Sequence, residues 1–330
     1  MALKNDQYNQ ILRGYDSRRL RNKHDLDRRV AHAYSLLPEL KALEEEIISL
    51  SAESGRMALR GDDSGLNVLK SQLQNLQAQR TQLLIDNDLS ADYLDMQYQC
   101  SKCQDTGYIG NEKCNCFKQA IADLMYSDSN IKTILANENF RKFSFEYYSD
   151  DYIDEALGLS PLSNMQKVVA GCRNFIKHFQ TNHDNLLLTG NTGVGKTFLA
   201  NCIAKELLDR GNTVIYLTAF RLFDILEKYK FSKDEDDSHT ASNQFDYILE
   251  CDLLIIDDLG TELNNAFTNS QLYLVLNERL LRQKSTIIST NLSLTNINSV
   301  YGERIFSRVV SSYNVQRIVG EDIRLHKAIK

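Results

Sequence analysis

The chain has 330 residues, 42% hydrophobic and 25% charged, with a net charge of −6. This is the composition of a globular protein of about two domains, and it excludes collagen-like, proline-rich disordered and wholesale nucleic-acid-coating classes. No run of eighteen apolar residues is present and the first thirty residues are charged throughout, so neither a membrane span nor a secretory leader is expected.

Residues 1–98 read as helical. Leu26, Val30, Ala33, Leu37, Leu40, Leu43, Ile47 and Leu50 recur at 3/4 spacing, and Pro38 marks the first turn of a second helix. The stretch 56–65, with two glycines and two aspartates, reads as a connector. Leu66, Leu69, Leu73, Leu76 and Leu83 then repeat at heptad-like spacing, with Arg80 at one seam position. Such a stripe serves helix-on-helix packing, partner binding, or both. Arg18, Arg19, Arg21, Lys23, Arg28 and Arg29 are balanced by Asp16, Asp25 and Asp27, which fits a solvated helix face better than a nucleic-acid patch.

Cys100-x2-Cys103 and Cys114-x-Cys116 form a tight cluster at 99–117. Four thiolates can hold tetrahedral Zn²⁺, and Asp105-Thr106-Gly107 supplies the turn between the halves. No histidine lies between His32 and His178, so local His ligation is excluded. An iron–sulfur cluster and uncoordinated thiols are the alternatives. Clustered cysteines in this pattern suit a reduced, cytoplasmic chain. Cys172, Cys202 and Cys251 read as small buried hydrophobes. Residues 118–160 read as a helix and an aromatic-rich linker containing Phe140, Phe143, Phe145, Tyr147, Tyr148 and Tyr152.

From Pro161 the pattern alternates. Helices are expected at 163–180, 196–210, 219–230, 268–283 and 301–312, and strands at 185–189, 213–218, 253–257, 285–290 and 314–319. An acidic loop is expected at 232–243. This pattern predicts an α/β domain built on a mostly parallel sheet, over 161–330.

Gly190-Asn191-Thr192-Gly193-Val194-Gly195-Lys196-Thr197 fits GxxxxGK[ST] between a buried strand and a helix. The glycines let backbone N–H groups wrap a phosphate, Lys196 reaches the β- and γ-phosphates, and Thr197 ligates Mg²⁺. Leu253-Leu254-Ile255-Ile256-Asp257-Asp258 is a buried strand with two acids at its C-terminal end. Asp257 is the second magnesium-holding residue, and Asp258 orients or deprotonates the attacking water. Asn291, at the tip of strand 285–290, can sense the γ-phosphate or position water. Arg304 and Arg308 share one helical face, and Arg324 follows the last strand. Tyr229-Lys230-Phe231 has the aromatic–basic–aromatic character of a single-stranded DNA contact, but Asp234 to Asp237 follow at once and oppose phosphate.

Together, LLLTGNTGVGKTFLANCIAKELL, LLIIDDLGTE, IISTNLS, YGERIFSRV and GEDIR resemble, in order, the motifs of AAA+ ATPases of the DnaC/DnaI helicase-loader and IstB group. The cysteine-bearing helical region before them is similar to the zinc-binding N-terminal domain of DnaI-type loaders. The resemblance implies a P-loop NTPase core preceded by a helical zinc-binding domain, with ATP, Mg²⁺ and Zn²⁺ as cofactors. It implies that Asn291 is sensor 1, that Arg308 is an arginine finger acting on a neighbouring subunit with Arg304 close by, and that Arg324 is sensor 2 in its own subunit. The implied partners are a replicative DnaB-type hexameric helicase, gripped by residues 1–98, single-stranded DNA, and further copies of the chain. A transposition helper of the IstB kind, binding duplex DNA and a transposase, is the alternative within the group. A non-enzymatic adaptor is the alternative outside it.

Overall fold

The computed structural model describes residues 5–60, 63–125, 131–232 and 235–325. The chain divides into two compact units, Asn9–Glu112 and Lys113–Lys330, the latter including Met1–Tyr8. Among the described residues, no helix is long and apolar enough to cross a membrane.

The first unit is helical. Helix α1 (Asn5–Leu36) is followed by α2 (Pro38–Arg60), with Pro38 at the first helical position, where a missing N–H leaves no bond unmade. Helix α3 (Asp63–Asp86) packs along α2. Ala33, Leu37, Leu40 and Leu84 form the buried centre, ringed by Tyr34, Leu83, Leu89, Tyr93 and Leu94. The leucine stripe of α3 lies on its inner face, with Leu69 buried and Leu66, Leu73 and Leu76 half-buried. Arg80, in the seam, pairs with Glu44 of α2 at 2.6 Å. The connector expected at 56–65 is shorter than the glycines imply. Helix α2 runs on to Arg60, because Arg, Met, Ala and Leu after Gly55 are strong helix formers that offset its penalty of about 1 kcal/mol.

Part of the basic stretch is paired inside this unit. Arg19 pairs with Asp16 at 2.6 Å, and Arg28 pairs with Asp25. Arg29 donates to the carbonyls of Tyr93 at 2.7 Å and Asp95 at 3.0 Å. These bonds tether the segment after α3 to α1, in keeping with a packed and solvated face.

Strands β1 (Tyr108–Ile109) and β2 (Glu112–Lys113) make a small hairpin, after which α4 (Asn115–Met125) and α5 (Ile131–Asn137) lead to a 3-10 turn at Phe145–Tyr147. Ser160 then caps α6 (Pro161–Lys177), accepting the Ser163 N–H at 3.2 Å. The helix predicted to reach residue 180 breaks at His178 and resumes as the short α7 (Phe179–Asn182).

Five parallel strands follow: β3 (Asn185–Gly190), β4 (Val214–Thr218), β5 (Leu253–Leu259), β6 (Ser285–Thr290) and β7 (Tyr313–Ile318). Their order across the sheet is β4-β5-β6-β3-β7, so β6 separates the strand before the glycine-rich loop from the strand bearing the acid pair. The connecting helices are α8 (Lys196–Asp209), α9 (Ala219–Phe231), α10 (Glu235–Glu250), α11 (Ala266–Leu281), α12 (Leu294–Tyr301) and α13 (Glu303–Ser312).

The strands are apolar without alternation because both faces are covered. Leu187, Leu254, Ile256 and Ile288 look to the side packed by α9 through α13. Leu186, Leu188, Leu253, Ile255 and Ile287 look to the side packed by α6 and α8. The β4 edge is closed by α4. Gln119 accepts the Val214 N–H at 2.8 Å and donates to the Val214 carbonyl at 3.1 Å, standing in for a neighbouring strand.

Two expectations need correction. The acidic loop at 232–243 is in fact the start of α10, whose Ala241, Gln244, Phe245, Ile248 and Leu249 are buried at helical spacing. The side chains of 233–239, including Asp234 to Asp237, lie outside the described residues. A helix also precedes the one predicted at 301–312: Ser293 caps α12, accepting the Asn296 N–H at 3.2 Å, and Gly302 separates it from α13.

Candidate nucleotide and metal sites

The glycine-rich loop leaves β3 at the C-terminal edge of the sheet, where α/β sheets bind ligands. Its shape requires glycine at two positions in particular. Gly193 has φ +78° and a Cβ there would fall 1.8 Å from Asp322 Oδ1; Gly195 has φ +101° and a Cβ would meet the Tyr148 hydroxyl at 2.6 Å. Both crowding groups belong to segments that fasten the loop. Tyr148 donates its hydroxyl to the Val194 carbonyl at 3.1 Å, and the Ile323 N–H donates to the Gly193 carbonyl at 3.1 Å. The aromatic linker therefore braces the loop from one side and the segment after β7 from the other.

Lys196, at the start of α8, is 5% exposed. Its ammonium donates to the carbonyls of Gly190 at 2.8 Å and Asn191 at 2.7 Å and to Asn291 Oδ1 at 2.6 Å. Burial pulls its pKa below the ordinary value, while Asp258 and Asp257 pull the other way. The lysine and the strand-tip asparagine, 95 residues apart, thus meet at one point.

Thr197 donates its hydroxyl to the Asp257 carboxylate, 3.2 Å from Oδ1 and 3.1 Å from Oδ2. Asp257 is 3% exposed and receives two further hydroxyls, from Tyr216 of β4 and Ser289 of β6. Burial, with Asp257 alongside, pushes the Tyr216 phenol far up, so it remains a donor. At this point β5 bulges: the register to β6 shifts between Ile256 and Leu259, and Asp258 sits in the left-handed region at φ +54°. The bulge turns Asp258 into the cleft. Burial and the nearby Asp257 push its carboxyl up, and Lys196 and Arg324 partly offset this.

A cleft of about 240 Å³ opens over these groups. Lys196, Thr197, Asp258, Asn291 and Arg324 line it, as do Phe143 and Tyr147 of the linker. Arg304 and Arg308 are exposed on α13 and are not among its lining residues. Thr197 and Asp257 offer only oxygens, the donor chemistry that suits Mg²⁺. Tyr216 and Ser289 escaped the sequence reading, and Tyr148 entered it only as one ring of the aromatic linker. Each lies on a strand or linker far along the chain, and only Ser289, two residues before Asn291, carried a positional hint.

The four sulfurs of Cys100, Cys103, Cys114 and Cys116 lie within 4.8 Å of one another. Tetrahedral zinc thiolates stand about 3.8 Å apart, from Zn–S bonds of about 2.3 Å, so the set fits zinc. The Gly107 N–H donates to Cys103 Sγ at 3.3 Å. Asp105, fully buried, shapes the first half-site: it accepts the N–H groups of Gln99 at 2.8 Å and Cys100 at 2.9 Å and the Asn22 amide at 2.8 Å.

In the aromatic–basic–aromatic run, Tyr229 and Phe231 each have a ring neighbour in the fold while remaining exposed. Tyr229 stacks on Phe245 at 4.4 Å between ring centroids, and Phe231 lies against Phe267 at 5.1 Å.

Residues 163–330 match the family model described as IstB-like ATP binding protein. Among curated proteins, the chain is similar to the replicative helicase loader DnaC of Buchnera aphidicola subsp. Baizongia pistaciae, with 24% identity over 44% of this chain and 57% of that protein. It is also similar to DnaC of Escherichia coli K12, with 25% identity over 42% of this chain and 54% of the relative. It thus spans little more than half the length of either. A crystal structure of the DnaC helicase loader aligns with 56% of this chain and 99% of its own, at 21% identity and a TM-score of 0.45. With the family model covering half of its length, the chain belongs to the IstB-like ATP-binding proteins.

Proposed function

We propose that the protein is an ATP-dependent loader that places a replicative DnaB-type hexameric helicase on single-stranded DNA. One observation carries the ATP half of this reading: Lys196, Asn291, Asp258 and Arg324 line a single cleft over the Thr197–Asp257 pair. The loader half rests on the relatives, whose names are those of helicase loaders.

In this reading the loop N–H groups and the α8 N-terminus hold the phosphates, and Lys196 exchanges its carbonyl partners for phosphate oxygens. Thr197 and Asp257 hold Mg²⁺, which when bound neutralises charge on the β- and γ-phosphates. Asp258 accepts a proton from the attacking water, a role that suits a carboxyl whose affinity for protons is raised. Asn291 orients the γ-phosphate and Arg324 acts within its own subunit. Arg308, exposed on α13, serves the cleft of a neighbouring copy. The helical unit grips the helicase, with zinc fastening residues 100–116.

The test is capture of a DnaB-type hexamer by the full chain with ATP and single-stranded DNA. Stoichiometric capture that Lys196→Ala weakens supports the loader. Capture of duplex DNA and a transposase instead, with no affinity for the hexamer, supports the transposition-helper alternative. Absence of ATP turnover with DNA and helicase present supports the adaptor.

A further inference from the structure

The acid that faces the magnesium position is held by more than the phosphate loop. Asp257 accepts three hydroxyl donors from three separate elements: Thr197 of α8, Tyr216 of β4 and Ser289 of β6. Ser289 does a second job, because its oxygen accepts the Asp258 N–H at 3.1 Å. That N–H belongs to the bulge residue, which the register shift leaves without a ladder partner. A single hydroxyl thus orients the Asp257 carboxylate and satisfies the backbone that turns Asp258 into the cleft. Tyr216 stands on the strand to the other side of β5 and closes the cage around Asp257 from there.

Building on the ATP reading above, we propose that Tyr216 and Ser289 are positioning residues for the magnesium site, with Tyr216 fixing Asp257 alone and Ser289 fixing Asp257 and Asp258 together. The two should then fail differently. Loss of the Tyr216 hydroxyl frees the Asp257 carboxylate to rotate and weakens the cation, while Asp258 keeps its aim. Loss of the Ser289 hydroxyl weakens the cation and also leaves the bulge N–H unpaired, so Asp258 loses its aim as well. Partners of this kind are worth about 10- to 100-fold in metal affinity.

The experiment measures Mg²⁺-dependent binding of a fluorescent ATP analogue to the full chain, in parallel with turnover across a magnesium titration. For Tyr216→Phe, the Mg²⁺ concentration at half-effect should rise about 10-fold or more, with kcat recovering at saturating metal. For Ser289→Ala the same rise should come with a kcat that saturating Mg²⁺ does not restore, and Ser289→Thr, which keeps the hydroxyl, should recover both. Tyr313→Phe, which removes a buried hydroxyl at the start of β7, controls for general loosening of the sheet and should leave the magnesium dependence as in the wild type. An unchanged magnesium half-effect in Tyr216→Phe and Ser289→Ala overturns the inference, as does an equal shift in Tyr313→Phe. Failure of the wild-type chain to bind the analogue with or without Mg²⁺ overturns the ATP reading itself and takes this inference with it.

Discussion

Lys196 shows how a side chain can be both buried and charged. Its ammonium makes three hydrogen bonds, at 2.6 to 2.8 Å, which offset the loss of water. In the proposed reaction phosphate oxygens replace those partners. Lys196→Ala is accordingly expected to reduce ATP turnover by about 10²-fold or more, the scale seen when one charge-stabilising donor is removed. Isothermal titration with ATP and a phosphate-release assay check it, and a variant with wild-type affinity and rate would show that the lysine serves packing alone. Asp252 offers a second residue-scale case. Its carboxylate accepts the Thr213 N–H at 2.9 Å and the Lys284 ammonium at 3.0 Å. Burial pushes this carboxyl up, but the bonds from Thr213 and Lys284 outweigh it and hold the group below its ordinary value. A depressed value means that the stabilisation is complete above the unfolded pKa of about 3.9 and is lost as pH falls through the folded one. Asp252→Asn should cost about 1–3 kcal/mol at neutral pH and less at pH 3, as read from urea melts at the two pH values.

The elements differ in how far they were legible in the sequence. The five strands were read within two residues of their ends, because apolar runs such as Leu186-Leu187-Leu188 and Leu253 to Ile256 have no exposed face to disguise them. Helix α10 was read as a loop because its first turns are acidic. Its inward positions, from Ala241 to Leu249, become informative only once the sheet face they cover is known. Helix α13 was read close to its bounds, whereas α12 was missed because its eight residues are too few to show a periodicity. At the site, the loop and the acid pair are contiguous motifs and were plain, whereas Tyr216, Ser289 and Gln119 act across the sheet and carry no motif. Gln119 supplies the prediction at this scale. Gln119→Ala leaves the β4 edge without its two side-chain bonds, so the chain should lose about 1–2 kcal/mol and aggregate faster, as followed by denaturant melts and light scattering.

For the whole molecule, the placement of two arginines matters most. Arg324 lines the cleft of its own chain, while Arg308 is exposed on α13 and absent from that cleft. If Arg308 serves a neighbour, a mixture should do what neither component can. Arg308→Ala and Lys196→Ala, each inactive alone, should recover part of the ATPase activity when combined, because one chain supplies the cleft and the other the arginine. No recovery across a range of ratios would contradict an action in trans. The cysteine group adds a metal prediction: the isolated chain should carry one Zn²⁺, and exchange for Co²⁺ should give the absorption of a tetrahedral thiolate site. The central claim, that ATP binding in this cleft serves helicase loading, is tested most directly on closed circular single-stranded DNA, which a hexamer cannot thread from an end. With wild-type chain and ATP, a DnaB-type helicase should be retained on the circle and unwind an annealed strand, and Lys196→Ala should support neither. Retention and unwinding at the same level with and without the chain, while the chain hydrolyses ATP, would contradict the account.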